Sequence, residues 1–132
     1  MFNYILVALG SAAGGITRYW ASGVIANRIG QTFPWDTLVV NVTGSFIIGF
    51  LATLNSPEGH WLLSPNARNL LMIGFCGGYT TFSSFSLQTV SLLQEREWLY
   101  AFGNAVLSVV LCLVSVWLGH GLAELMNPTK GA

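Results

Sequence analysis

The chain has 132 residues, of which 53% are hydrophobic and 8% are charged, and its formal net charge is zero. A soluble domain normally carries about a quarter charged residues, which cover its surface. Here residues 37–57, 69–94 and 98–123 contain no Asp, Glu, Lys or Arg, and each stretch can hold the roughly 20 residues that cross a bilayer. This pattern argues against a soluble helical bundle, which would lack residues for its outer shell.

The first predicted membrane span covers residues 4–25. Its N-terminal flank contains no basic residue, so we interpret the segment as a retained helix rather than a cleaved signal peptide. Gly10 and Gly14 are four residues apart, which predicts a face that another helix can approach closely. Arg18 lies toward the C-terminal end of this span, where its side chain either reaches the headgroups or faces a watery cavity.

Three further apolar stretches have the length of a membrane span. The connections between them contain prolines, glycines or charged residues, which interrupt helices. These predicted spans are residues 36–54, 68–93 and 98–122. The sequence contains no repeat, low-complexity segment or soluble domain, so we predict one all-α membrane unit of four transmembrane helices over residues 1–132.

The basic residues of the loops are balanced across the membrane. With four spans, one side holds Arg68 and Lys130, and the other holds Arg28 and Arg96. Basic loop residues normally fix the orientation because they resist translocation. Two basic residues on each side give almost no preference for one orientation, so the chain could insert both ways and pair with an inverted copy. The alternative, in which one arginine outweighs another through its position, stays open at this point.

The third span contains a glycine-rich segment that is unlike ordinary membrane helix. Gly77 and Gly78 are adjacent in mid-span, and the β-branched Thr80 and Thr81 follow them, a composition that disfavours a continuous helix. Non-helical backbone at membrane depth needs protein, water or an ion to satisfy its carbonyls. A break here would expose oxygens that can coordinate a cation. The alternative is an unbroken helix whose glycines serve close packing.

Beyond this segment, helical spacing sorts the side chains into two stripes. Phe82 and Phe85 share one face, and Thr81, Ser84 and Gln88 form a neutral hydrogen-bonding stripe beside them. Neutral donors suit a small, strongly hydrated anion that must not be trapped by a fixed charge, and phenylalanine ring edges carry positive partial charge. The alternatives are ordinary packing for the phenylalanines and back-bonding to the helix for the hydroxyls.

The run GGYTTFSSFS at residues 77–86 resembles the signature of the Fluc (CrcB) fluoride channels. Further landmarks of that family fall at residues 14–18 in the first span and at residues 37–49 in the second, which include Thr37 and Asn41. The resemblance covers essentially the whole chain, and the glycine, threonine, phenylalanine and serine run is highly specific to the family.

The resemblance implies a dual-topology, antiparallel homodimer with two fluoride pores in the bacterial inner membrane. It also implies one central structural sodium ion, held by the backbone carbonyls of Gly77 and Thr80 from both subunits. The implied pore residues are Arg18, Thr37, Asn41, Phe82, Ser83, Ser84, Phe85, Gln88 and Ser108. Many members of the family carry a glutamate where this chain has Gln88, so arguments about the charge of that glutamate do not transfer here.

These residues favour a passive channel through which fluoride leaves the cell, since the sequence has no P-loop pattern and no acidic residue in mid-span. A proton-coupled exporter of small cationic drugs would need a membrane-embedded carboxylate. A non-transporting accessory subunit would explain the packing glycines but not the neutral donors beside paired phenylalanines. An enzyme is least favoured, because neither His60 nor His120 belongs to an evident nucleophile or metal cluster.

Overall fold

The computed structural model describes residues 1–57 and 62–128. Glu58, His60 and Lys130, which lie in or near the predicted loops, fall outside these ranges. The described residues form helices and their connections, without β-strands. In chain order the helices are α1 Phe2–Ile29, α2 Trp35–Leu54, α3 with residues 65–79, α4 Phe82–Gln94 and α5 Trp98–Met126.

The length and composition of the helices suit a membrane. Within the described ranges, three stretches are long and apolar enough to cross it, namely Trp35–Leu54, Pro65–Gln94 and Trp98–Met126. The second of these comprises α3 and α4. Helix α1 has 28 residues, a length of about 42 Å, but its glycines, serines and alanines make it less apolar. The all-helical fold with a broken third helix agrees with the sequence prediction, whereas the predicted borders of the four spans stay predictions.

Glycines allow α1 to lie directly against α3. A Cβ atom added to Gly10 would collide with the carbonyl oxygen of Leu70, and one added to Gly14 would collide with the carbonyl oxygen of Phe75. The two backbones are therefore closer than any side chain at these positions would permit. The close-approach face predicted from the spacing of Gly10 and Gly14 is confirmed, and α3 is the helix that approaches it.

A second pair of helices, α2 and α5, packs in the same way. A Cβ atom on Gly49 of α2 would collide with the carbonyl oxygen of Val116, and one on Gly119 of α5 would collide with that of Phe46. Glycines from both helices thus contribute to one backbone-to-backbone contact. Because helices in lipid gain no hydrophobic driving force from associating, such close van der Waals contact is a principal source of their cohesion.

The middle of α3 is wound more widely than an α-helix. Residues Asn69–Cys76 form a π-helix, and Gly77–Tyr79 return to α-helical geometry. π-Helical turns are rare in proteins, and those that do occur are frequently found at functional sites. Gly74 lies within this wide segment, and a Cβ atom added there would be 2.9 Å from the Cα atom of Gly10. The widened turns therefore belong to the part of α3 that α1 contacts.

The contact between α1 and α3 predicts opposite effects for two adjacent glycines. Gly14→Ala forces α1 and α3 apart, and overpacking of this kind costs about 1–3 kcal/mol. Gly15→Ala meets nothing within 4 Å and removes a residue that weakens helices by about 0.5–1 kcal/mol. In thermal unfolding of the purified protein, we expect Gly14→Ala to lower the melting temperature by several degrees and Gly15→Ala to leave it unchanged or raised. Equal losses in both variants would contradict this packing.

Candidate functional site

The stretch Pro65–Gln94 stops being helical at two residues in its middle. Thr80 has φ −84° and ψ 156°, and Thr81 has φ −150° and ψ 113°, so both are extended. The predicted break in this segment is confirmed. Gly77 and Gly78 themselves are both helical. The break falls instead on the two β-branched residues, whose side chains lose rotamer freedom in a helix.

The two glycines have different surroundings. A Cβ atom on Gly78 would collide with the backbone of Ser11 in α1, whereas one on Gly77 would meet nothing within 4 Å. Close packing therefore explains Gly78, as the alternative interpretation of the sequence held. At Gly77 the helical backbone is exposed immediately before the break.

Each threonine of the break is bonded to the helix that it adjoins. The Thr80 hydroxyl donates to the carbonyl of Cys76 at 2.8 Å, one turn back in α3. The Thr81 hydroxyl oxygen accepts the backbone N–H of Ser84 at 3.1 Å and so caps the N-terminus of α4. It also lies 3.1 Å from the hydroxyl oxygens of Ser83 and Ser84. Three hydroxyl groups are thus gathered at the start of α4.

A side chain from α2 satisfies the backbone of the break. The Asn41 Nδ2 group donates to the carbonyl oxygen of Thr81 at 3.0 Å, and the Thr81 N–H donates to Asn41 Oδ1 at 2.8 Å. One amide therefore pairs with both backbone polar groups of the same residue. Leaving either group unpaired and buried would cost about 1–3 kcal/mol. This double hydrogen bond fixes both the position of the break and the orientation of the Asn41 amide.

The end of α3 presents backbone carbonyl oxygens with no intrachain donor. The Thr81 N–H, which would reach Gly77 in a continuous helix, donates to Asn41 instead. Within residues 1–57 and 62–128, no hydrogen bond reaches the carbonyl oxygen of Gly77 or that of Thr80. The C-terminus of a helix also carries partial negative charge. This end of α3 can therefore receive a cation or another hydrogen-bond donor.

The two phenylalanines that follow the break form a pair. The Phe82 and Phe85 ring centroids are 5.3 Å apart and their planes are inclined by 50°. Phe82 is 78% exposed, so its ring does not belong to the core of a single chain. Phe82 is therefore available to a cavity, to lipid or to a second chain, whereas Phe85 is half-buried. The alternative interpretation was packing against lipid or in the core; core packing does not account for Phe82, and lipid packing stays open.

An open cavity of about 650 Å³ lies beside the break, between residues of α2, α3, α4 and α5. It brings together Asn41, Gly77, Thr80, Phe82, Phe85 and Ser108 from the sequence prediction. Thr81 also lines it, as do Arg68, Cys76 and Cys112, which the prediction did not include. Among the described residues that line the cavity, none is acidic.

The remaining predicted pore residues lie elsewhere. Ser83 and Ser84 bond to Thr81 but do not line this cavity, and Thr37 is buried in α2 one turn before Asn41. Gln88 lines a separate cavity of about 540 Å³, whose lining includes Asp36, Glu95 and Glu97. Arg18 is half-buried in α1 and lines neither cavity. The pore role of these residues stays a prediction.

The Gln88 amide has an unusual environment. Its Oε1 atom is buried and has no hydrogen-bond partner among the described residues. A buried polar atom in this state costs free energy unless water or a ligand reaches it. The Oε1 atom is thus suited to a location that water or another hydrogen-bond donor can reach, and the place of Gln88 on a polar track stays a prediction.

A polar network links α4 to α5 behind the phenylalanine pair. The Asn104 amide donates to Thr89 Oγ1 at 2.9 Å, and Ser108 Oγ donates to Asn104 Oδ1 at 3.3 Å. The Thr89 hydroxyl donates in turn to the carbonyl of Phe85 at 2.7 Å. Asn104 and Thr89 were not among the residues predicted from the sequence, although an asparagine inside the most apolar stretch is a recognisable signal. This network fixes the position of Ser108 at the cavity.

The fold and the site together define a class of protein. Several apolar helices, a helix break within one apolar stretch and a cavity beside it with apolar, neutral polar and one arginine residue in its lining are features of a multi-pass membrane protein. Residues 5–120 match the family described as "CrcB-like protein, Camphor Resistance (CrcB)". The chain belongs to the CrcB family.

Three relatives match this chain over nearly their full length. A "Fluoride-specific ion channel FluC" of Opitutus terrae is 56% identical over 132 residues, which is 100% of both chains. Another, of Rhodospirillum rubrum, is 56% identical over 95% of this chain and 97% of its own. A third, of Methylocella silvestris, is 50% identical over 98% and 99%. These names describe ion channels, a class of non-enzymes, which confirms the prediction that the chain is not an enzyme.

Proposed function

We propose that the chain is a fluoride-selective passive channel of the bacterial inner membrane that lets cytoplasmic fluoride leave the cell and so lowers its toxicity. The observation that carries this proposal is the cavity at the helix break, where neutral hydrogen-bond donors and a phenylalanine pair meet without an acidic residue among the described lining residues. The relatives named fluoride-specific ion channels, which are 50–56% identical to this chain, support fluoride as the ion.

The donors of the cavity fit a small anion. A side-chain amide has two N–H groups, and Asn41 uses one of them for the Thr81 carbonyl. The second remains for an ion. Ser108 also lines the cavity, but its hydroxyl proton is donated to Asn104 Oδ1, so it contributes polar lining and not a further donor. The Phe82 and Phe85 ring edges carry positive partial charge. Such neutral partners replace part of the hydration shell, and they do not hold the ion as a fixed positive charge would.

Export through such a pore needs no energy coupling. Fluoride enters a cell as the neutral acid and dissociates inside, and the negative interior potential then drives the anion outward. A proton-coupled exporter of cations would place a carboxylate on the path. Among the described residues, no Asp or Glu lines the cavity at the break, so the arrangement favours the channel over that exporter.

The open side of the break supports assembly as an antiparallel homodimer. Gly77 is exposed and Phe82 is 78% exposed, close to the unpaired carbonyls in the middle of the stretch Pro65–Gln94. Lipid cannot satisfy backbone carbonyls in the hydrocarbon core. An inverted second copy would cover this face, and the balanced basic residues of the loops are compatible with insertion in both orientations.

The same carbonyls fit a structural sodium ion. Hard cations prefer oxygen ligands such as backbone carbonyls, and the Gly77 and Thr80 oxygens accept no hydrogen bond within the described ranges. The negative end of the α3 dipole adds to the attraction. The described residues hold no cluster of three His, Cys, Asp or Glu side chains, so the ligands would be backbone oxygens from both copies. A bound sodium ion would compensate the partial negative charge of these oxygens.

Ion efflux from proteoliposomes tests the function and the phenylalanine pair together. We expect the protein to release fluoride rapidly and to retain chloride. Phe82→Ile keeps an apolar side chain but removes the ring edge, so fluoride efflux should fall by at least tenfold while the dimer still assembles. Fluoride-selective and chloride-selective electrodes measure the two rates, and size-exclusion chromatography measures assembly.

The matched control is Phe102→Ile, at a position in α5 that is also largely exposed but lines no described cavity at the break. Its efflux should equal that of the unmodified protein. Equal leakage of both anions, or of neither, would refute the selective channel. Unchanged fluoride efflux in Phe82→Ile would refute the pore assignment of the phenylalanine.

Removal of sodium tests the cation site. When sodium is replaced by N-methylglucamine, a cation too large to fit between closely spaced carbonyls, we expect the dimer to dissociate or melt at a lower temperature and fluoride efflux to decline. Returning sodium should restore both. Dimer stability and efflux that do not depend on sodium would contradict Gly77 and Thr80 as its ligands.

A further inference from the structure

We propose that Arg68 attracts anions to the open end of the cavity and thereby sets the local concentration of the ion that enters it. This inference rests on the proposed channel function and names a residue for it. Of the described residues that line the cavity, Arg68 is the only charged one. It lies in the first turn of α3, twelve residues before Thr80.

The guanidinium group of Arg68 is available to an ion. The residue is exposed, and it takes part in no ion pair within residues 1–57 and 62–128, where the single salt bridge joins His120 and Glu124. An arginine carries its charge at every physiological pH. An unneutralised positive charge at the edge of a cavity with low-dielectric walls raises the local concentration of anions.

The direction of α3 strengthens this field. The helix begins at Pro65, and Ser64 caps it by accepting the N–H of Ala67 at 3.2 Å. The N-terminus of a helix carries partial positive charge and its C-terminus partial negative charge. Arg68 therefore adds to the positive end of α3, whereas Thr80 lies at the negative end. The two ends of α3 thus separate an anion-attracting entrance from a carbonyl-rich, cation-attracting break.

Arg68 lines this cavity, whereas the arginine that the sequence indicated does not. Arg18 is half-buried in α1 and does not line the cavity at the break. Between Arg68 and the break, the described lining residues are neutral. An anion attracted by Arg68 therefore meets only uncharged side chains as it goes further, which allows attraction at the entrance without tight binding on the path.

Fluoride efflux at controlled ionic strength tests this role. A single charge close to a dissolved ion changes its local concentration by roughly two- to fivefold in water, and screening shortens its range from about 30 Å at 0.01 M salt to about 10 Å at 0.1 M. With subsaturating fluoride and potassium isethionate as the impermeant salt, we expect Arg68→Gln to reduce efflux about two- to fivefold at low ionic strength. The deficit should shrink at high salt and at saturating fluoride.

Two further variants separate entrance charge from general effects. Arg68→Lys keeps the charge and should retain nearly the full rate. Arg28→Gln also removes one basic residue from the balance across the membrane, but from an exposed position of α1 outside this cavity, so any loss that it causes should not depend on ionic strength. Added salt should also slow the unmodified channel at subsaturating fluoride. Efflux by Arg68→Gln that equals the unmodified rate at low salt would overturn the role, as would a loss that is the same at every ionic strength. If the unmodified protein carries no fluoride, the proposed function itself fails.

Discussion

The pair of hydrogen bonds between the Asn41 amide and the backbone of Thr81 holds the rest of the site in place. A helix break inside a membrane leaves polar backbone groups that lipid cannot satisfy. Asn41 satisfies both groups of Thr81, at 3.0 and 2.8 Å, and so allows the chain to leave the helix for two residues without unpaired polar groups on Thr81. Because α2 itself is locked against α5 by Gly49 and Gly119, the amide is presented from a rigid support.

The break divides one segment into two chemically different halves. On the α3 side, the carbonyl oxygens of Gly77 and Thr80 accept no hydrogen bond within the described residues. The N–H groups that would reach them in a continuous helix bond elsewhere, that of Thr81 to Asn41 and that of Ser84 to the Thr81 hydroxyl. On the α4 side, the Thr81 hydroxyl caps the new helix and gathers Ser83 and Ser84. Oxygens without donors attract cations, whereas hydroxyls, an amide and ring edges suit an anion. A site that attracts cations and a site that suits an anion can therefore lie within a few residues of each other, without a charged side chain between them.

Much of this arrangement follows from the sequence, and the exceptions have physical reasons. Charge-free stretches predict the apolar helices, and the spacing of Gly10 and Gly14 predicts a close contact. Local propensity disfavours a helix over the whole run from Gly77 to Thr81, but it does not by itself place the break on Thr80 and Thr81, because that position is also held by Asn41, which is 40 residues away in the chain. For the same reason, Gly78 cannot be recognised as a packing residue until α1 is seen beside it. Arg68 was counted as a loop charge, because only the tertiary structure turns it toward the cavity.

Fluoride efflux by Asn41→Asp is the sharpest test of the role of the Asn41 amide at the break. The substitution keeps the size of the side chain but replaces the donor group with an anionic oxygen, which cannot donate to the Thr81 carbonyl and repels an anion in the cavity. We expect an intact dimer whose fluoride efflux falls at least tenfold, while Asn27→Asp, at an exposed position of α1, behaves as the unmodified protein. An intact Asn41→Asp dimer with unreduced efflux would show that the Asn41 amide does not serve the fluoride path.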